Sequence, residues 1–278
     1  MREEKKIKRS ADPVNISNTR RILNQMINCI CKIKIRSANG TGFFCRIPLD
    51  QNNNIICLLT NYHVLNEEYL IKNKEIHILL NDDKEAKKID LNIKRIIYYY
   101  KECDITIIEL KQEDNIKEYL ELDDNIFKDN EKIFYEEKSI YIIQYPNGDE
   151  ACVSYGILNK INKNDILHIC STDNGSSGSP ILNLKNNKVI GIHRGSPDHA
   201  KNYNCGTLLK YPLIDFINKN KRNLFNIKEQ TKTQINIHAN HVNKEKIGIS
   251  QKKEYIPYSC IPQLEKNDIS FLYNNIPR

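Results

Sequence analysis

Between two apolar runs the chain carries TDNGSSGSPIL, Thr172 to Leu182. A serine hydroxyl is a weak nucleophile until a fixed base takes its proton, and the oxyanion made by its attack needs donors already in place. Small residues on both sides of Ser177 let backbone N–H groups converge on one point, and Gly175 and Gly178 supply that freedom. Taken alone, such a string is a surface turn as often as a reactive loop. The base and the acid that orients it must therefore exist elsewhere. His63 ends the strand-like run LLTNYHVL, and Asp104 opens CDITIIEL, a polar acid just before a run that reads as buried. Singly, such a histidine is most often a satisfied core or surface residue, and such an aspartate a turn cap. Together the three stand in the order His, Asp, Ser, 41 and 73 residues apart. That set can run acyl transfer, with a base, its orienter and a nucleophile.

These residues need a frame. Eleven short apolar segments follow one another: CICKIKIRS, GTGFFCRI, NIICLLTN, EIHILL, IKRIIYYY, DITIIEL, SIYIIQY, ILHICS, PILNL, KVIGIHR and CGTLLKY. They are rich in β-branched residues and punctuated by Gly, Asn and Asp, which predicts an all-β barrel or sandwich. SNTRRILNQM predicts a short helix capped by Ser17 or Asn18. YPLIDFINKNKRNLF predicts a closing helix, with Leu213, Ile214, Phe216 and Ile217 on one face. The acidic stretch from Gln112 to Glu137 reads as a connector between two groups of strands. Beyond about residue 224 Asn, Lys and Gln dominate, and the tail reads as a linker plus a docking peptide.

The pieces GTGFF (40–44), LLTNYHVL (58–65), DITIIEL (104–110), YPNG (145–148), GSSGSPIL (175–182) and VIGIHRGS (189–196) together resemble the trypsin-like, chymotrypsin-fold serine proteases in order and spacing. The resemblance covers about residues 28–220. It implies two six-stranded antiparallel β-barrels with a C-terminal helix and an extra tail. The expected boundaries are a polar extension at 1–24 and a protease domain at 25–220. Within that domain the N-barrel takes about 25–112, the connector 113–137, the C-barrel 138–212 and the closing helix 212–222. Residues 223–278 form the tail. The resemblance further implies a serine endopeptidase acting on polypeptides. His63 is then the base, Asp104 its orienter and Ser177 the nucleophile, and the backbone N–H groups of Gly175 and Ser177 form the oxyanion hole. Arg194, Gly195 and Ser196 match the edge strand that pairs with substrate backbone. Ser176 then has no chemical role.

A narrower likeness, to bacterial glutamyl endopeptidases, places Thr172 and His193 in the S1 pocket and implies cleavage after Glu or Asp. A histidine with a hydroxyl donor suits a carboxylate side chain. The other reading of His193 is a buried strand histidine, hydrogen-bonded locally. The subgroup also uses a mature N-terminal amine in that pocket, for which this chain shows no processing site. At the pocket base, where trypsin has Asp, stands Ser171, so cleavage after Lys or Arg is disfavoured. Digestive relatives carry Asp immediately before the nucleophile; Ser176 here cannot form their activating salt bridge. Val64 and Leu65 follow His63, where secreted trypsins place a disulfide cysteine.

Composition narrows the other classes. Lys+Arg exceed Asp+Glu by 42 to 35, a formal charge of +7 in a chain generally rich in Lys, Asn and Ile. Such a mild excess without aromatic-rich basic motifs does not predict a nucleic-acid partner, and the run Lys5 to Arg9 is short. No apolar run approaches a membrane span, and no apolar h-region follows the basic N-terminus, so an intracellular, cytoplasmic setting is expected. The nine cysteines lack any CxxC and read as buried free thiols, with no metal and no cofactor implied. Cys45 and Cys57 face each other if their strands form a hairpin. The competing reading of the whole is a catalytically inactive protease-fold module for binding or regulation.

Overall fold

The computed structural model describes residues 9–35, 38–50, 53–197 and 202–220. The tail 223–278 with its expected docking role, most of the Lys5–Arg9 run and Cys260 lie outside the described residues. Helix α1, Ile16–Asn28, comes first. Its cap is Asn15, not Ser17 or Asn18. Asn15 stands in extended conformation ahead of the first turn, and its side chain accepts the Asn18 N–H at 2.9 Å. Ser17 and Asn18 already lie within that turn. Gln25, on the buried face, donates to Asn187 O at 3.0 Å and accepts from the Tyr141 hydroxyl at 2.6 Å.

The N-terminal half contains β1 (Ile30–Ile35), β2 (Ala38–Pro48), β3 (Asn54–Thr60), α2 (Glu67–Lys72), β4 (Glu75–Leu80), β5 (Glu85–Asp90), β6 (Ile97–Tyr100) and β7 (Ile105–Glu109). They join in the order β5-β4-β1-β2-β3-β7-β6, all antiparallel. The connector adds β8, Leu120–Glu121, which lies parallel to β2. The result is a curled sheet of eight strands rather than a count of six. The strands without an apolar signal are β8, two residues long, and β5, in which Ile89 alone is buried. Alternation splits β2 between two cores. Phe44 packs with Ile33, Leu58 and Ile78 inside the sheet, and Phe43 faces the core shared with the second half.

After α3, Glu131–Tyr135, the C-terminal half contains β9 (Lys138–Gln144), β10 (Cys152–Asn162), β11 (Asp165–His168), β12 (Pro180–Asn183), β13 (Lys188–Gly195) and β14 (Asn204–Leu208). These six close a barrel in the order β10-β11-β14-β13-β12-β9. Helix α4 spans 210–220 and buries Leu213, Phe216 and Ile217. Eight cysteines among the described residues are free thiols, and Cys45 and Cys57 are direct cross-strand partners. Burial pushes Cys29 and Cys170 up to about 12. Among the described residues no helix is long and apolar enough to cross a membrane.

Candidate active site

The chain leaves β3 at Thr60 and turns at once. Val64 N and Leu65 N both donate to Asn61 O, and both side chains are buried, which leaves the His63 ring half exposed above the turn. Asp104 follows a 3₁₀ turn, Lys101–Cys103, and adopts the left-handed conformation, φ 50 and ψ 50. A short polar side chain tolerates that region better than most. Asn61 Nδ2 fixes the turn by donating to Asp104 O at 2.9 Å. Both carboxylate oxygens then meet one residue. Oδ1 accepts the His63 backbone N–H at 2.9 Å, and Oδ2 lies 2.7 Å from His63 Nδ1. A neutral imidazole that donates from Nδ1 has Nε2 as an acceptor. Asp104 thus holds both the backbone and the ring of His63.

The loop between β11 and β12 carries Ser177. Gly178 has φ +90, and a Cβ there would stand 2.0 Å from Thr41 O, so backbone meets backbone at this point. Gly175 has φ +87, with Tyr145 O where its Cβ would point. Gly178 N donates to His193 O at 3.0 Å, and Ser176 N donates to Asp173 O at 3.0 Å. Ser176 is fully buried, and its Oγ accepts from Asp173 N at 3.1 Å. It therefore closes the turn before Ser177. Among the described residues, neither Gly175 N–H nor Ser177 N–H donates to an acceptor within the chain. The Ser177 hydroxyl donates to Arg194 O at 3.1 Å and makes no hydrogen bond to His63. The structure thus joins Asp104 to His63 and Ser177 to the end of β13.

The proposed pocket residues gather on the C-terminal half. His193 is buried on β13, and its N–H donates to Ser179 O at 2.8 Å. Its Nδ1 lies 3.2 Å from Nε2 of the buried His168, whose Nδ1 accepts the Cys170 N–H at 3.3 Å. That chain assigns the tautomers: His168 donates from Nε2, and His193 keeps its proton on Nε2. Burial pushes His193 down to about 4, offset in part by a backbone hydrogen bond with Cys205, and pushes His168 down to about 3. A β-bulge falls between His193 and Gly195, which leaves Arg194 without a cross-strand partner. The Arg194 guanidinium pairs with Asp165 at 2.5 Å, and Ser196 Oγ meets Asn204 Oδ1 at 2.9 Å. Thr172 is half-buried at the start of the loop.

Three residues that shape this site were not singled out by sequence: Asn61, Thr41 and His168. Thr41 sits between the two glycines of GTGFF, and His168 alternates with Ile166 in a strand. Neither signal specifies a partner. Among the described residues no three His, Cys, Asp or Glu side chains cluster to hold a metal.

Known proteins share this architecture. The serine endoprotease from Yersinia pestis is 14% identical, with a TM-score of 0.51 over 74% of this chain and 67% of that one. The Rv3671c protease of M. tuberculosis, in an inactive form, is 15% identical, with a TM-score of 0.52 over 75% of this chain and 97% of its own. At such identities the likeness is one of fold. The sequence profile of the trypsin-like peptidase domain matches residues 40–192, from the glycines of β2 through the histidine turn and the serine loop into β13. With more than half of its length matched, the chain belongs to the trypsin-like peptidase family.

Proposed function

We propose that the chain is a serine endopeptidase in which Ser177 attacks, His63 is the base, and Asp104 holds it. The observation that carries this reading is the two-point hold of Asp104 on His63, at 2.9 and 2.7 Å. The partnerless N–H groups of Gly175 and Ser177 supply the donors an oxyanion needs. In the reaction Ser177 Oγ leaves Arg194 O and forms a bond to the scissile carbonyl carbon, and its proton passes to His63 Nε2. The carbonyl oxygen takes the negative charge between the two amides. The C–N bond then breaks, and the leaving amine takes the proton from His63. Water repeats the sequence and frees the acid. Beyond Ile192 strand β13 has no further β12 partner, so residues 194–196 offer a sheet edge to an extended peptide.

For specificity we favour Glu or Asp at P1, bound by His193 and Thr172. The tautomer set through His168 gives His193 an Nε2–H donor. A P1 carboxylate would compete for it with the Cys205 backbone. The hydrogen bond from Ser177 to Arg194 favours the second reading, a protease-fold module without turnover. A fluorophosphonate probe separates the two. Labelling that disappears in Ser177→Ala supports the enzyme; a folded wild type that never labels supports the module. Peptide-library profiling of wild type and His193→Ala tests the pocket. Acidic preference that survives His193→Ala would remove His193 from S1.

A further inference from the structure

We infer that Thr41 is the positioning residue of the oxyanion site, its hydroxyl holding the middle peptide of the serine loop so that two N–H groups face one point. The inference rests on the serine endopeptidase reading. The two proposed donors belong to peptides 174–175 and 176–177. In a planar trans peptide, C=O and N–H point opposite ways, so fixing the carbonyl fixes the N–H. Asn174 O is taken by Asn147 N, and Ser176 O accepts from Ser179 N at 3.1 Å. The intervening peptide, 175–176, sets the angle between these two planes. Its carbonyl, Gly175 O, accepts from Thr41 Oγ1 at 2.8 Å.

Gly175, at φ +87, has a glycine's freedom to turn, and rotation there would swing one donor away from the other. Within the loop the middle peptide is held at its N–H end, where Ser176 N donates to Asp173 O at 3.0 Å; the hold on its carbonyl comes from outside the loop. Thr41 is fully buried, and all of its polar atoms are engaged. Its N–H donates to Ser177 O at 2.8 Å, and its carbonyl accepts from Thr60 Oγ1 at 2.8 Å. Its hydroxyl donates to Gly175 O and accepts from Tyr145 N at 3.2 Å. Only a hydroxyl can do both jobs in that space. Valine has nearly the same shape and does neither, and serine keeps both. Thr60 also begins the turn that carries His63. One side chain thus ties the loop to β2 and to the segment entering Tyr145–Gly148.

The test uses the full-length chain as wild type, Thr41→Ser, Thr41→Val and Thr41→Cys. The readout is the second-order rate of inactivation by a biotinylated fluorophosphonate, measured across pH. In that reaction Ser177 Oγ bonds to phosphorus, fluoride leaves, His63 takes the proton, and the phosphonyl oxygen lies against the oxyanion donors. The rate does not depend on P1 preference. Thr41→Val should label about 100-fold more slowly than wild type, the scale of losing an oxyanion donor, with the midpoint of its pH profile unchanged. Thr41→Ser should stay within about threefold, since both of its hydrogen bonds remain. Thr41→Cys, near serine in size but a poor donor, replaces Thr41→Val if the latter does not fold. A Thr41→Val rate close to wild type overturns the inference. A displaced pH midpoint does so too, because the effect would then run through His63 and Asp104. If both variants unfold while Thr41→Ser folds, Thr41 is a folding residue and the inference fails. A folded wild type that does not label refutes the serine endopeptidase reading instead.

Discussion

At the scale of single residues, Asp104 combines a backbone demand with a chemical one. It needs φ near 50 and two acceptor oxygens for one histidine. Asparagine meets the first demand and fails the second, because one of its two positions is a donor. Asp104→Asn should therefore keep the melting temperature near wild type and lower kcat by about 10³- to 10⁴-fold, the scale of the same change in a protease of this fold. Steady-state kinetics beside thermal unfolding checks it, and a kcat within tenfold of wild type would show that Asp104 does not orient the base. His63, Asp104 and Ser177 could be proposed from the sequence because acyl transfer restricts the residue types and their order. Thr41 could not. Its hydroxyl acts on a carbonyl 134 residues away, a pairing that exists only once the two halves have folded together. The same holds for His168, whose partner is 25 residues on and two strands across the barrel.

At the scale of elements, the eleven apolar runs all became strands, since alternation and β-branching mark a half-buried ribbon. The strands that escaped notice either have little apolar face to show or, in β10, set Ile157, Leu158 and Ile161 among polar residues. β5 is an edge strand of charged residues, β10 mixes polar residues with Gly156, and β8 is two residues inside an acidic connector. That connector is held by Asp123, which is fully buried and accepts from Asn125 N, Asn183 Nδ2 and Asn186 Nδ2, each at 2.9 Å. Burial alone would raise its pKa, but the hydrogen bonds from Asn125, Asn186 and Asn183 outweigh it and hold the carboxyl below its ordinary value. Asp123→Ala strands the amide donors of buried Asn183 and half-buried Asn186 and should cost about 3 kcal/mol of unfolding free energy. Urea denaturation at neutral pH measures this, and a loss under 1 kcal/mol would mean that water replaces the carboxylate.

At the scale of the whole molecule, the halves are joined by more than the chain. Asp82 Oδ1 accepts the Ala151 N–H at 2.8 Å, and Thr207 donates to Cys103 O at 2.7 Å. Acid should loosen the assembly in a defined window. His168 and His193 are held near 3 and 4 by burial, the latter also by His63 and Arg194, whereas a free imidazole titrates near about 6.5. Below about pH 6.5 the unfolded chain binds two protons that the folded chain refuses, so stability falls until the folded values are reached. Asp123 adds a further loss as pH drops through its lowered value, where its folded-state advantage disappears. His168→Gln removes one titrating ring and should flatten the fall in urea midpoint between pH 6.5 and 4.5 by about half. An unaltered slope would place the acid sensitivity elsewhere. The buried thiols bear on how such opening can be followed. Cys31 lies in the core inside the N-terminal sheet, while Cys29, Cys45, Cys57, Cys103 and Cys170 lie in the core shared by both halves. Shielded and protonated, they are silent toward alkylating reagents until their own core is breached. Pulse alkylation with mass readout would therefore time the opening of the two cores separately, using reporters already built into the chain.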